Sequence, residues 1–137
     1  MIKFMNWTIT VLLFTAIAGA FHIGFMEYLM DVDKTYLTFV ITGLTAVSSL
    51  TISVCGIIDK MGVTLEKQLN FLTGMLPSVG MIGTVIGMIL IIQDGIPEPS
   101  QLLIGVGTAL TTTLMGLIGA VVLSQQLTLK EMQDGKA

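Results

Sequence analysis

The sequence predicts an all-α polytopic membrane protein with four transmembrane helices. Three observations carry that expectation. The chain is 53% hydrophobic, with mean hydropathy +0.91, and only 11% of its 137 residues are charged. A soluble domain of this size carries about 25% charged residues. Four apolar runs divide the chain, each near the ~20 residues that cross ~30 Å of hydrocarbon. No Asp, Glu, Lys or Arg lies in the middle of any run. Backbone groups in hydrocarbon must pair within their own segment, so each run is expected to be a helix.

The first run extends from about Phe4 to Met26. Lys3 is a weak basic start, and Ala16, Ala18 and Ala20 could mimic a cleavage site. The run is longer than the ~7–15 residues of a signal core, and it continues past those alanines, so it reads as a membrane helix. His22, near its outer end, has no ionisable partner within the span. It reads as an interfacial or packing residue, with a proton relay as the alternative. Trp7, Tyr28 and Tyr36 sit at segment ends and fit the aromatic belts of a membrane protein.

The second run extends from about Tyr36 to Ile58 and holds Cys55, the single cysteine. One cysteine forms no intrachain disulfide and no zinc cluster, and in an apolar run it packs as a small hydrophobe. The connection at 59–70, DKMGVTLEKQLN, is short and polar. Its spacing suits a helical turn that prolongs a membrane helix. The third run extends from about Phe71 to Ile92. The loop QDGIPEPSQ at 93–101 follows, where Gly95, Pro97 and Pro99 stop a helix. The fourth run covers about Leu102 to Leu123. The tail at 125–137 is helix-compatible up to Asp134-Gly135. Residues 1–137 thus read as a single membrane domain.

Charge orients these elements. Glu27, Asp31, Asp33 and Lys34 lie between the first two runs, and Asp94 and Glu98 between the last two. Lys3, Lys60, Lys67, Lys130 and Lys136, five of the six lysines, fall on the opposite side. By the positive-inside rule that side is cytoplasmic, with both termini. Asp94 and Glu98 read as solvated loop charges, or as charges that concentrate cations at an outer mouth. Arginine is absent and there is no basic patch, which argues against nucleic-acid binding. No nucleophile–base set, phosphate-binding glycine loop or metal-ligand spacing is present, so no enzyme is expected.

The third and fourth runs depart from plain lipid-facing helices. At about 100° of turn per residue, Pro77, Gly80, Thr84 and Gly87 share one narrow face. So do Ala109, Thr113, Gly116 and Ala120. Stripes of small residues with one hydroxyl face protein or a pore. They read as the wall of an ion pathway. Thr73, Ser78, Thr84, Thr108, Thr111, Thr112 and Thr113 concentrate hydroxyls in these two helices. Any one of them could simply bond back to its own helix. The run Thr111–Thr113 cannot all face lipid or a single neighbour. Pro77 removes a helical hydrogen bond and crowds the Thr73 carbonyl. It reads either as a packing kink or as a kink that opens a wet cavity beside Thr84.

These stripes resemble those of the MotA/TolQ/ExbB proton-channel family. The family shows a proline followed by glycines and Gly-Thr-Val-x-Gly, here Pro77, Gly80, Gly83, Thr84, Val85 and Gly87. Its next helix shows Ala-Leu-x-Thr-Thr-x-x-Gly-Leu, here Ala109, Leu110, Thr112, Thr113, Gly116 and Leu117. The likeness covers about residues 71–125 without gaps inside either motif. It implies a homopentameric ring in the cell inner membrane, with the last two helices lining a central pore and the first two forming an outer layer. Two copies of a single-span partner similar to ExbD, TolR or MotB would sit inside. The partner's membrane aspartate would take up and release protons, or sodium as in some relatives, with no other cofactor. Thr84 and Thr113, with Thr112 beside them, would line the path. Gly80, Gly83, Gly87, Ala109 and Gly116 would let helices approach closely. Proton flow would drive mechanical work. Relatives carry a large cytoplasmic domain where this chain has only 59–70, and the proline that often ends their last helix is replaced by Ala120, Val121 and Val122.

Two other function classes compete. A small four-helix exporter of hydrophobic cations needs its own buried glutamate, and Glu27 lies at a helix end. A non-conducting scaffold or lesion-forming protein would oligomerise without a stoichiometric single-span partner.

Overall fold

The computed structural model describes residues 2–25, 27–28, 36–58, 62–93 and 98–135. Four helices run through the described residues: α1 (Ile2–His22), α2 (Leu37–Ile58), α3 (Val63–Gln93) and α4 (Pro99–Gln133). Each is long and apolar enough to cross a membrane. Asp31, Asp33, Lys34, Lys60, Asp94, Gly95, Pro97 and Lys136 lie outside the described residues, as does the side chain of Thr108.

The helix ends differ from the hydropathy boundaries for local reasons. α1 stops at His22, short of Met26. The Ile23 N–H bonds the Gly19 carbonyl at 3.1 Å and the Gly24 N–H bonds that of Phe21 at 3.2 Å. Gly24 has φ +74°, the left-handed conformation that glycine supplies at helix ends. α3 begins eight residues before Phe71, where the Glu66 N–H bonds the Gly62 carbonyl at 3.1 Å. Leu65, Glu66, Lys67, Gln68 and Leu69 in the stretch after Gly62 are good helix formers, so it prolongs the span. α4 begins at Pro99, a residue suited to the first helical position, after an extended Glu98. It continues ten residues past Leu123. Asp134 closes it by an N–H bond to the Lys130 carbonyl at 3.0 Å, with Gly135 at φ +67°. At 1.5 Å per residue, α1 and α2 measure about 32 Å, α3 about 46 Å and α4 about 52 Å. The last two therefore overrun ~30 Å of hydrocarbon.

The helices alternate in direction. α3 and α4 form the most extensive contact and run antiparallel, with Gly80 against Gly116 and Gly87 against Ala109. α2 runs parallel to α4: Thr38 meets Thr112, Thr45 meets Gly119, and Gly56 meets Gln133. Both termini therefore lie at one end. Ile41, Ile52, Leu69, Leu76, Leu123 and Leu127 form the buried apolar core. The buried face of α2 is otherwise rich in hydroxyls, with Thr38, Thr45, Ser48, Ser49 and Ser53. α2, between α1 and α4, is the most covered of the four helices, and α1 is the least. Within the single chain α2 still turns Val40, Val47 and Ile57 outward. Beneath α1 lies an apolar cavity of about 180 Å³, lined by Leu13, Ile17, Thr45, Met115 and Ile118 among others. Large apolar side chains such as Leu103, Val85 and Leu114 point outward, as expected where the surroundings are hydrocarbon.

Candidate functional site

The two small-residue stripes face each other. A β-carbon on Gly116 would lie 2.7 Å from the Leu76 carbonyl oxygen. One on Gly80 would lie 3.1 Å from both the Thr112 carbonyl oxygen and the Thr113 α-carbon. One on Gly83 would lie 2.6 Å from the Thr112 methyl carbon Cγ2. Gly80 and Gly116 bring the α3 and α4 backbones together without side chains between them, the packing that lipid favours, and Gly83 makes room for the Thr112 side chain. Gly87 meets the Ala109 β-carbon at an ordinary 3.4 Å, and Ala109 is buried.

Thr84 and Thr113 meet at the edge of this seam. Their hydroxyls are hydrogen-bonded to each other, and both residues are half-buried in the single chain. The Thr84 hydroxyl also reaches the Ala109 carbonyl oxygen across the seam at 2.7 Å, and that of Gly80 in its own helix at 3.2 Å. The Thr113 hydroxyl reaches the Gly80 carbonyl oxygen at 3.2 Å. Each hydroxyl has one proton to donate and two lone pairs to offer. Two circuits fit these contacts. In one, Thr113 donates to Thr84, which donates to Ala109. In the other, Thr84 donates to Thr113, which donates to Gly80. In each, one proton lies between the two hydroxyls and the other goes to a backbone carbonyl. Each leaves a different hydroxyl oxygen with its lone pairs free. The pair is therefore a neutral acceptor that changes which oxygen it presents by flipping two O–H bonds.

Thr112 is turned away from this pair. It is buried between α4 and α2, and its hydroxyl bonds the Thr38 hydroxyl at 3.1 Å. Successive residues of a helix point about 100° apart, so Thr112 and Thr113 cannot share a face. Thr111 lies on a third face and donates to the Gly107 carbonyl of its own helix at 2.9 Å. Pro77 is half-buried within an unbroken α3, and the nearby Thr73 hydroxyl donates to the Leu69 carbonyl at 2.8 Å. Two features of the packing were not singled out from sequence. Gly119 brings α4 against α2, where an added β-carbon would lie 2.5 Å from the Thr45 hydroxyl oxygen. Asn6, Thr10, Ser49, Ser53 and Gln126 form a buried polar cluster joining α1, α2 and α4. The signal for both lay in α2, whose Thr45, Ser49, Ile52, Ser53 and Gly56 recur at helical spacing within an apolar span. Among the described residues, no group of three or more His, Cys, Asp or Glu side chains could hold a metal ion.

A family model described as the MotA/TolQ/ExbB proton channel family matches residues 53–129, which include α3, nearly all of α4 and the end of α2. No match was found among curated proteins or among solved structures.

Proposed function

The chain belongs to the MotA/TolQ/ExbB proton channel family, and from that premise we propose that it is the ring-forming subunit of a proton-driven, two-component motor. The family is a channel type and not an enzyme class. The chain assembles as a homopentamer in the cell inner membrane, with both termini cytoplasmic. It surrounds two copies of a single-span partner that carries a membrane aspartate. Protons, or sodium, pass along Thr84 and Thr113, and their flow turns the partner against the ring.

The observation that carries this reading is the Thr84–Thr113 pair, with both hydroxyl protons satisfied inside the protein. A carboxylate at mid-bilayer costs ~2.5–3.5 kcal/mol even on lenient insertion scales. A protonated acid donates a hydrogen bond, and the free lone pair of this hydroxyl pair accepts it. One interhelical hydrogen bond contributes only ~0.6 kcal/mol in a membrane. A ring of such acceptors stabilises the protonated acid, the form in which the partner crosses the lipid interior uncharged, without trapping the ion. That balance matters, because one charge crossing 100 mV gains only ~2.3 kcal/mol. A fixed basic partner would hold the carboxylate too tightly to turn over.

Thr84→Val and Thr113→Val each remove one hydroxyl while nearly preserving shape. Each is expected to abolish proton flux in liposomes holding the chain and its co-purified partner, with the subunit count unchanged. Thr84→Ser and Thr113→Ser keep the hydroxyl and are expected to retain flux. Full flux in both valine variants would remove the threonine path.

A further inference from the structure

We propose that the apolar slot between α1, α2 and α4 is a binding site for one acyl chain of a bilayer phospholipid. The slot has a volume of about 180 Å³. An apolar cavity of ~150 Å³ already admits a benzene-sized guest, so several methylenes fit here. Small residues create the space: Ala16 and Ala20 on α1, and Gly119 on α4. Buried Thr45 and Gly119 lie at its floor, and exposed Phe25 and Ile118 stand at its rim. The slot therefore opens on the outside of the bundle. Ala16 and Ala20 belong to the half of α1 remote from the termini, and Thr42 and Thr45 to the corresponding half of α2. Both helices are long and apolar enough to span hydrocarbon, so the mouth meets tails of the leaflet opposite the termini.

The lining decides between occupants. Water needs two to four polar partners. The Thr42 and Thr45 hydroxyls donate to the Thr38 and Ile41 carbonyls, each at 2.8 Å, so neither has a proton to offer. The rest of the lining is apolar. A helix of a second subunit, ~10–12 Å across with its side chains, is too wide to enter. Only one of its side chains could reach in, and then only in a fixed register. An acyl chain is thin and flexible, and it surrounds the protein as solvent. Lipid tails are as apolar as leucine, so packing drives entry: an empty slot leaves its lining atoms without partners on one side. The bound tail becomes part of the contact that holds α1, the least covered helix, to α2 and α4. Such a site needs only that the chain spans a membrane, whether or not it drives a motor.

High-resolution maps of the unmodified assembly in nanodiscs, with phospholipid tails either ordinary or brominated, test the site. The expected result is a rod of density that reaches the Thr45–Gly119 floor and strengthens with bromine. An empty slot, density unchanged by bromine, or a side chain from a neighbouring subunit would each overturn the assignment. Ala20→Phe gives a second readout, because its ring takes up the space of the tail. In lipid-depleted detergent, added phospholipid is expected to raise the unfolding temperature of the unmodified protein more than that of Ala20→Phe. Equal rises would also overturn the assignment, and the maps alone decide should that variant not fold. Neither measurement involves proton flux, so failure here is distinct from failure of the threonine path.

Discussion

Gly116 shows how little room the α3–α4 seam leaves. Its absent β-carbon would sit 2.7 Å from a backbone oxygen, and backbone cannot swing aside as a side chain can. Gly116→Ala is therefore expected to force the helices apart and destabilise the fold by about 1–3 kcal/mol, the usual range for overpacking. Gly43→Ala is the control. Nothing lies within 4 Å of the added carbon there, so the change is expected to be neutral or to stabilise by up to about 1 kcal/mol through helix propensity. Thermal unfolding of both variants in the same detergent checks the contrast. The importance of Gly116 was legible in the sequence, because its one-face spacing with Thr113 and Ala120 required a close neighbour. The separation of Thr112 from Thr113 was legible only in part. Helical geometry puts adjacent residues on different faces, but the identity of the second neighbour, Thr38 on α2, depends on how α2 packs.

Among the elements, α2 is the one whose role hydropathy hides. It is apolar enough to cross a membrane, yet its buried side is largely hydroxyl. Several of those hydroxyls, such as that of Thr45, donate to a carbonyl one turn earlier in α2. Others, such as Thr38 and Ser49, meet another helix. Sequence alone does not distinguish the two, since either partner satisfies a threonine or serine. A double-mutant cycle on Thr38→Val and Thr112→Val is expected to give a coupling of about 0.6 kcal/mol, the mean for interhelical polar contacts in a membrane. Proton flux is expected to persist in both single variants, unlike those at Thr84 and Thr113. Loss of flux in Thr112→Val with normal stability would place that residue on the path. The helix extensions were legible beside the hydropathy windows: the polar stretch at 59–70 read as prolonging a membrane helix and the tail as helix-compatible up to Asp134-Gly135, and α3 begins in the first while α4 runs to the end of the second. An apolar window registers where lipid ends, whereas α3 begins just after Gly62 and α4 runs from Pro99 to its Asp134 cap.

For the molecule as a whole, family and span number were readable from composition and from the two motifs. Chain packing was not, because hydrocarbon-facing and protein-facing leucines look alike in sequence. The single chain also has no ionisable group at the Thr84–Thr113 pair among the described residues. A pathway made only of neutral hydroxyls needs a proton carrier from elsewhere. The purified chain alone in liposomes is therefore expected to pass no proton current under an imposed potential. Current is expected only when a single-span protein with a membrane aspartate is reconstituted beside it. Conduction by the chain alone at a comparable rate would rule out the two-component scheme.

The overrun of α3 and α4 beyond the bilayer has a mechanical side. Two rods clamped along a glycine seam, with no joint between membrane and water, bend together or not at all. Lys130, buried, is tied to Asp134 at 2.6 Å near the far tip of the longer rod. Anything that grips these tips from the aqueous side holds a handle rigidly continuous with the threonines inside the lipid. In the proposed motor, load applied at these tips would enter the same two helices that carry the hydroxyl pair.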